Sequence, residues 1–255
     1  MTAMKIESPI AGCRLPVDFG KEAPHFLPAQ QRHAFTLIEL LTVIFIIGVL
    51  AAFAVPVLHG VARLKYINTA KAEMGQLETA IDSYHADYGF YPPDNPTNVL
   101  INQLYYELTG TTNINTAASP VYQPLDGSSP AVPAFDVATA FGAAGFVNCA
   151  KSGAEDTVPA RDFLPELRPN QVYRTFTNST TGTQGIAMLV TSVGGPDTLY
   201  QPLGLSGLNP WRYKSSGTLT NNPGEYELYV QLVISGKSNL VCNWNKTVQI
   251  NSPLP

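Results

Sequence analysis

The sequence of 255 residues predicts an α+β protein in which a long N-terminal α-helical spine packs on a small C-terminal antiparallel β-sheet domain. Three observations predict it. Phe35 to Leu58 is one apolar run of 24 residues, an apolar stripe of helical period follows it as far as Tyr88, and the β-branched and aromatic segments gather near the C-terminus.

Residues 1–34 precede the apolar run and contain Pro9, Pro16, Pro24 and Pro28 with mixed charges, so no packed element is expected there. Phe35–Leu58 as a helix would extend about 36 Å at about 1.5 Å per residue, against a hydrocarbon layer of about 30 Å, so the run is long enough to span a membrane. It carries one carboxylate, Glu39, near its start. A charge near a membrane segment costs about 3 kcal/mol or more, so it needs a partner or a task, and no basic residue stands at helical spacing to supply one. Lys21 and Arg32 precede the run and Arg63, Lys65 and Lys71 follow it, an arrangement too even to orient the span by charge.

Past Pro56, which removes one backbone donor and should kink the helix, Ala70, Met74, Leu77, Ile81, Tyr84 and Tyr88 form the stripe, with Lys71, Glu73, Glu78, Asp82 and Asp87 off it. Gly89 stops the helix. A short second helix is expected over Val99–Leu108, ending at Gly110, then a long polar, Pro-rich loop over Thr111–Pro133, and another short helix within Ala134–Ala150. Ile186–Val193 and Tyr226–Ile234 read as strands, the second half-buried and antiparallel.

At the head of the apolar run, AFTLIELLTVIFIIGVLAA resembles the cleavage and methylation signal of type IV pilins and type II secretion pseudopilins. Ala34 fills the small position before the cut, where Gly is usual, Phe35 the first mature position and Glu39 the fifth; Gly48 and Pro56 also match the family. The turn Gly89, Tyr91 and Pro92, the segment Asn209-Pro210-Trp211-Arg212-Tyr213, the Tyr226-Glu227-Leu228-Tyr229 run and Asn243-Trp244 resemble the major pseudopilin.

The resemblance implies a pilin-like fold in four parts: a cytoplasmic leader over 1–34, a transmembrane and polymerising half-helix over 35–58, a helical spine over 59–89 and an extracytoplasmic α+β domain over 90–255. It implies cleavage by prepilin peptidase between Ala34 and Phe35, methylation of the Phe35 amine, and pairing of Glu39 with the Phe35 amine of a neighbouring subunit. Gly48 and Pro56 would bound the segment that loosens on assembly. The implied partners are copies of the chain itself, prepilin peptidase, other pseudopilins and the inner-membrane secretion platform. The implied location is the bacterial inner membrane, single-pass, with the C-terminal domain in the periplasm.

An alternative reading of the run is a secretory signal cut after Ala54 at Ala52-Phe53-Ala54; its length, the long region before it and Pro56 just past the cut count against this. A type IV pilin for adhesion or DNA uptake, or a membrane-anchored periplasmic binding domain, would share the N-terminal features.

The leader holds four of the 15 basic and three of the 19 acidic residues, so its removal leaves a formal charge of −5 and no basic surface for nucleic acid. Cys13 lies in the leader; Cys149 and Cys242 are either a disulfide of an oxidising compartment or two separate thiols. The related pseudopilins bind calcium between the last strand and the terminal tryptophan, but Ser235–Trp244 here contains Lys237 and no carboxylate, so no metal site and no cofactor is expected. No enzyme is expected either. His25 and His33 lie in the leader, His59 and His85 stand alone on the helix surface, and Phe141–Gly145 lacks the preceding strand of a phosphate loop.

Overall fold

A computed structural model describes residues 35–115, 119–151, 159–178, 180, 182–195, 197 and 199–255, with the side chains of 53–60 and 151 excepted. Residues 1–34, with Cys13, His25, His33 and Ala34, and the side chains of Pro56 and His59, lie outside the described residues. The chain divides into two compact units, one up to Ala52 and one from Phe53 to Pro255.

In the first unit the apolar run is helical from Leu37, within helix α1 (Leu37–Tyr88). Its large side chains are all exposed, from Leu37 at 81% to Val49 at 42%. Apolar residues occupy every side of this turn sequence, so no single face is singled out for a core.

The second unit is built on the rest of α1. Ala70, Leu77, Ile81 and Tyr84 are buried, and Met74 and Tyr88 pack against the same core, as the stripe predicts. Burying this face is what fixes the helix, since helical propensity alone is marginal. The helix ends at Tyr88 because Gly89 takes φ +78°, with its N–H donating to His85 O at 2.8 Å. Glu73, assigned to the polar side, is instead fully buried.

Helix α2 (Leu104–Thr109) is shorter than expected and fully buried; Gly110 follows at φ +72°. The expected Thr111–Pro133 loop is corrected. It forms β1 (Thr111–Asn113), β2 (Val121–Pro124) and β3 (Val132–Pro133), and with β4 (Cys149–Lys151) these make a four-stranded sheet in the order β3-β2-β1-β4. β1 pairs antiparallel with β2 and parallel with β4, so this sheet is mixed. Strands of two to four residues are too short to show a period; Thr111, Tyr122 and Val132 become buried only through packing. Helix α3 (Ala134–Phe141) lies where a short helix was expected and closes on Gly142 in the left-handed region.

After a 3-10 turn at Pro169–Gln171 come the antiparallel pair β5 (Val172–Asn178) and β6 (Thr183–Leu189). The last sheet is antiparallel, in the order β10-β9-β8-β7, from β7 (Arg212–Lys214), β8 (Glu227–Ile234), β9 (Lys237–Cys242) and β10 (Asn245–Ile250). Leu228, Val230, Leu232 and Ile234 alternate toward the main core, while Tyr229 joins Leu240, Cys242 and Trp244 in a small cluster on the opposite face. Trp211 and Tyr213 are buried in the main core.

Candidate functional site

Phe35 and Thr36 stand just before the first turn of α1. Thr36-Leu37-Ile38-Glu39 is a capping box: the Glu39 N–H donates to Thr36 Oγ1 at 3.3 Å and the Thr36 N–H donates to Glu39 Oε2 at 2.8 Å. The Thr36 hydroxyl also donates to Oε2 at 2.7 Å. Glu39 therefore has a partner within its own chain, contrary to the expectation that one had to be sought elsewhere. The signal was present in the sequence as Thr-x-x-Glu. All these hydrogen bonds lie after the Ala34–Phe35 bond, so a cut there would leave the box intact. Phe35 is 84% exposed.

Gly48 is exposed and helical, and a Cβ built on it meets nothing within 4 Å. α1 runs through Pro56. Among the described residues no helix is long and apolar enough to cross a membrane; the apolar run is described with its side chains only to Ala52.

Within the second unit, polar groups of the spine bind it to the sheets. Arg63 donates twice to Asn239 Oδ1 in β9, at 3.1 and 2.7 Å, and Lys71 Nζ donates to Lys246 O in β10 at 2.7 Å. Glu73 accepts from Thr191 Oγ1 at 3.0 Å, from Ser192 N–H at 3.1 Å and from the Ser192 hydroxyl, with Arg168 Nη2 at 3.8 Å. Glu107 of α2 accepts from the Tyr84 hydroxyl at 3.1 Å and from the N–H groups of Val147 and Asn148 at 2.9 and 3.0 Å. Burial pushes its carboxyl above the ordinary range, against those three hydrogen bonds.

The pairing left open for Cys149 and Cys242 is not made. Cys149 lies in β4 and Cys242 in β9, in different sheets, and both thiols are free. Burial pushes the Cys242 thiol up. The stretch Ser235–Trp244, which the resemblance places in a metal-binding loop, is mostly strand β9, entered through a turn with Ser235 and Gly236 at positive φ. Among the described residues no three His, Cys, Asp or Glu side chains gather as a metal site would need. His85 is half-buried and stacks on Tyr91 at 4.3 Å between ring centroids.

Residues 30–55 match the prokaryotic N-terminal methylation motif, and Ala34, Phe35, Thr36 and Glu39 lie within the matched residues. With the relatives that follow, this makes the chain a pilin-like, pseudopilin-like protein. It is 32% identical over 96 residues to fimbrial protein EcpC of Eikenella corrodens, covering 34% of this chain and 63% of that protein. It is 40% identical over 66 residues to type II secretion system core protein G of Escherichia coli, covering 26% and 46%. It is 35% identical over 65 residues to the type IV major pilin protein PilE1 of Neisseria gonorrhoeae, covering 26% and 30%. The chain thus spans less than two thirds of the length of each. No solved structure matches it.

Proposed function

We propose that this chain is a structural subunit of a filament that serves type II protein secretion: cleaved after Ala34 by prepilin peptidase, methylated on Phe35, held in the inner membrane by 35–58 and polymerised through that helix. The leader would be 1–34, the spine 59–89 and the periplasmic domain, in a pilin-like arrangement, 90–255. The observation that carries this is the helix from Leu37, apolar on all sides with every large side chain exposed, opening on a methylation motif. Such a helix has nothing of its own unit to bury against, so lipid or neighbouring helices must cover it. The match to core protein G and the Asn209–Tyr213 and Tyr226–Tyr229 segments favour secretion. A type IV pilin is the second reading, favoured by the matches to EcpC and PilE1.

Glu39 has one role within the subunit, closing the capping box, and a second between subunits, neutralising the methylated amine of a neighbour. The test is cross-linking between subunits in membranes, wild type beside Glu39→Val, with cleavage and protein level checked. Multimers and secretion should fall at least tenfold while insertion and processing persist. Unchanged multimers in a fully processed Glu39→Val protein would reduce the helix to a plain anchor. Genes for a secretion ATPase and an outer-membrane secretin beside this one would favour the secretion reading over the pilin one.

A further inference from the structure

A cavity of about 590 Å³ lies in the second unit, between the end of the spine and the loop that joins β7 to β8. That volume falls within the roughly 300–1,000 Å³ of small-molecule sites. Gly89 turns the chain back beside the last turn of α1 and sets Tyr91 against His85, the two rings stacked at 4.3 Å and 26°. Tyr91 also lies 5.0 Å from Tyr226 between ring centroids. His85, Phe90 and Tyr91 form one wall, with Phe90 46% exposed, and Leu219, Pro223 and Glu225 form the other. Among the described residues no Lys or Arg lines the cavity.

The two walls are tied together before any ligand arrives. Tyr213 and Ser215 both donate their hydroxyls to Pro92 O, each at 2.8 Å. Asp94, itself buried, accepts from the N–H groups of Ser215 and Ser216 at 2.9 and 3.1 Å and from the Ser216 hydroxyl at 2.7 Å. The far end of the loop is held by the Asn221 N–H, which donates to Glu227 Oε1 at 2.6 Å. Lys214 is committed to the loop backbone, its Nζ donating to Thr218 O at 2.6 Å.

Charge around the aromatic wall is of one sign. Glu225 lines the cavity, its Oε2 accepting from Asn222 Nδ2 at 2.9 Å. Burial, and then the negative charges of Glu225 and Asp82, push the Tyr91 phenol above its ordinary value; burial, Asp82 and Glu78 do the same to Tyr226. Among the described residues none of these three carboxylates, Glu78, Asp82 and Glu225, forms an ion pair.

We infer that this cavity binds one organic cation, an alkylammonium or guanidinium group, carried by a free amine or by a Lys or Arg side chain of a peptide. Such a cation is attracted by the rings and by the carboxylates at once. Its carbon skeleton covers Leu219 and Pro223, which a hydrated inorganic ion does not. An anion would meet three negative charges. A metal ion needs several donors converging on one point, and no three such side chains gather among the described residues. A neutral ligand would cover part of Glu225 without answering its charge. The inference stands apart from the filament reading and requires no polymerisation.

The test uses the full chain in a non-ionic detergent with about 0.15 M sodium chloride, which screens diffuse attraction to an acidic surface. Saturation-transfer NMR follows choline and N-acetylarginine amide beside their neutral counterparts, tert-butylethanol and N-acetylcitrulline amide. At least one cation should bind with a dissociation constant on the order of 1 mM, and its neutral counterpart at least tenfold more weakly. A blocked Gly-Arg-Gly peptide that binds at least tenfold more tightly than the single residue assigns the site to a peptide side chain; no such gain assigns it to a small amine, and either supports the cation site. Glu225→Gln removes the charge at an exposed loop position and should weaken binding at least tenfold with the melting temperature unchanged. Phe90→Leu removes a ring but keeps apolar bulk and should weaken binding at least threefold. Failure of both cations to bind, neutral counterparts binding as well as they do, or undiminished binding by folded Glu225→Gln or folded Phe90→Leu would each overturn the assignment.

Discussion

Thr191 Oγ1 donates to Glu73 Oε2 at 3.0 Å, joining the middle of the spine helix to the segment after β6, 118 residues away in sequence. Glu73 is fully buried, and Ser192 binds the same carboxylate through its N–H and hydroxyl. Glu73→Ala leaves the buried Thr191 hydroxyl and the partly buried Ser192 N–H without their acceptor, at about 1–3 kcal/mol for a fully buried group. Urea denaturation followed by the fluorescence of Trp211 and Trp244 should show a lower midpoint, whereas Asp82→Ala, at an exposed spine position, should leave it nearly unchanged. Equal effects of the two would contradict the anchoring role.

Glu107 makes stability depend on pH in a defined direction. Burial holds its folded-state pKa above the ordinary 4.5, so the folded state binds the proton more tightly than the unfolded one. Its contribution is fully present below 4.5 and is lost as pH rises from there through the folded value. Glu107→Gln has one acceptor oxygen for three donors and should lose about 1–3 kcal/mol at neutral pH. The difference in urea midpoint between wild type and variant should widen as pH falls through that window. A difference that stays flat or narrows would mean that burial does not dominate the carboxyl.

Two glycines should respond oppositely to alanine. At Gly110, φ is +72° and a Cβ would stand 2.8 Å from Arg161 O, so Gly110→Ala should destabilise by at least about 1–3 kcal/mol. At Gly48 the space is open and the backbone helical, so Gly48→Ala should favour the helix by about 1 kcal/mol. If Gly48→Ala nevertheless lowers cross-linked multimers, with helix content by circular dichroism unchanged or raised, glycine at this position serves contacts between subunits. A loss of helix content would refute the open geometry.

The mature N-terminus should be a methylated Phe35, read by mass spectrometry of protein from membranes. Detection of Val55 as the terminus would establish the signal-peptide alternative instead. The same digest without reductant should yield the peptides of Cys149 and Cys242 unlinked, since the two lie in different sheets. A linked pair would show that the fold brings those sheets together differently.

The amino-acid order alone determined the long helix, its stop and the processing signal, because these rest on local rules: a 3.6-residue stripe, a glycine able to take positive φ, and residues adjacent in the chain. The α+β class, α3 and strands β6 and β8 were legible for the same reason, as longer runs with their own period or composition. The Thr36–Glu39 capping box was equally local and could have been read from Thr-x-x-Glu. Tertiary structure alone decided that Thr111–Pro133 carries three strands, because strands of two to four residues exist only where a neighbour supplies the other half of each hydrogen bond. It also decided that Ser235–Trp244 enters a strand. Glu73 and Glu107 show the same limit most sharply. A carboxylate on a helix reads as solvent-facing, and it can be buried only when distant groups, Thr191 and Ser192 for one and Tyr84, Val147 and Asn148 for the other, converge to replace its water.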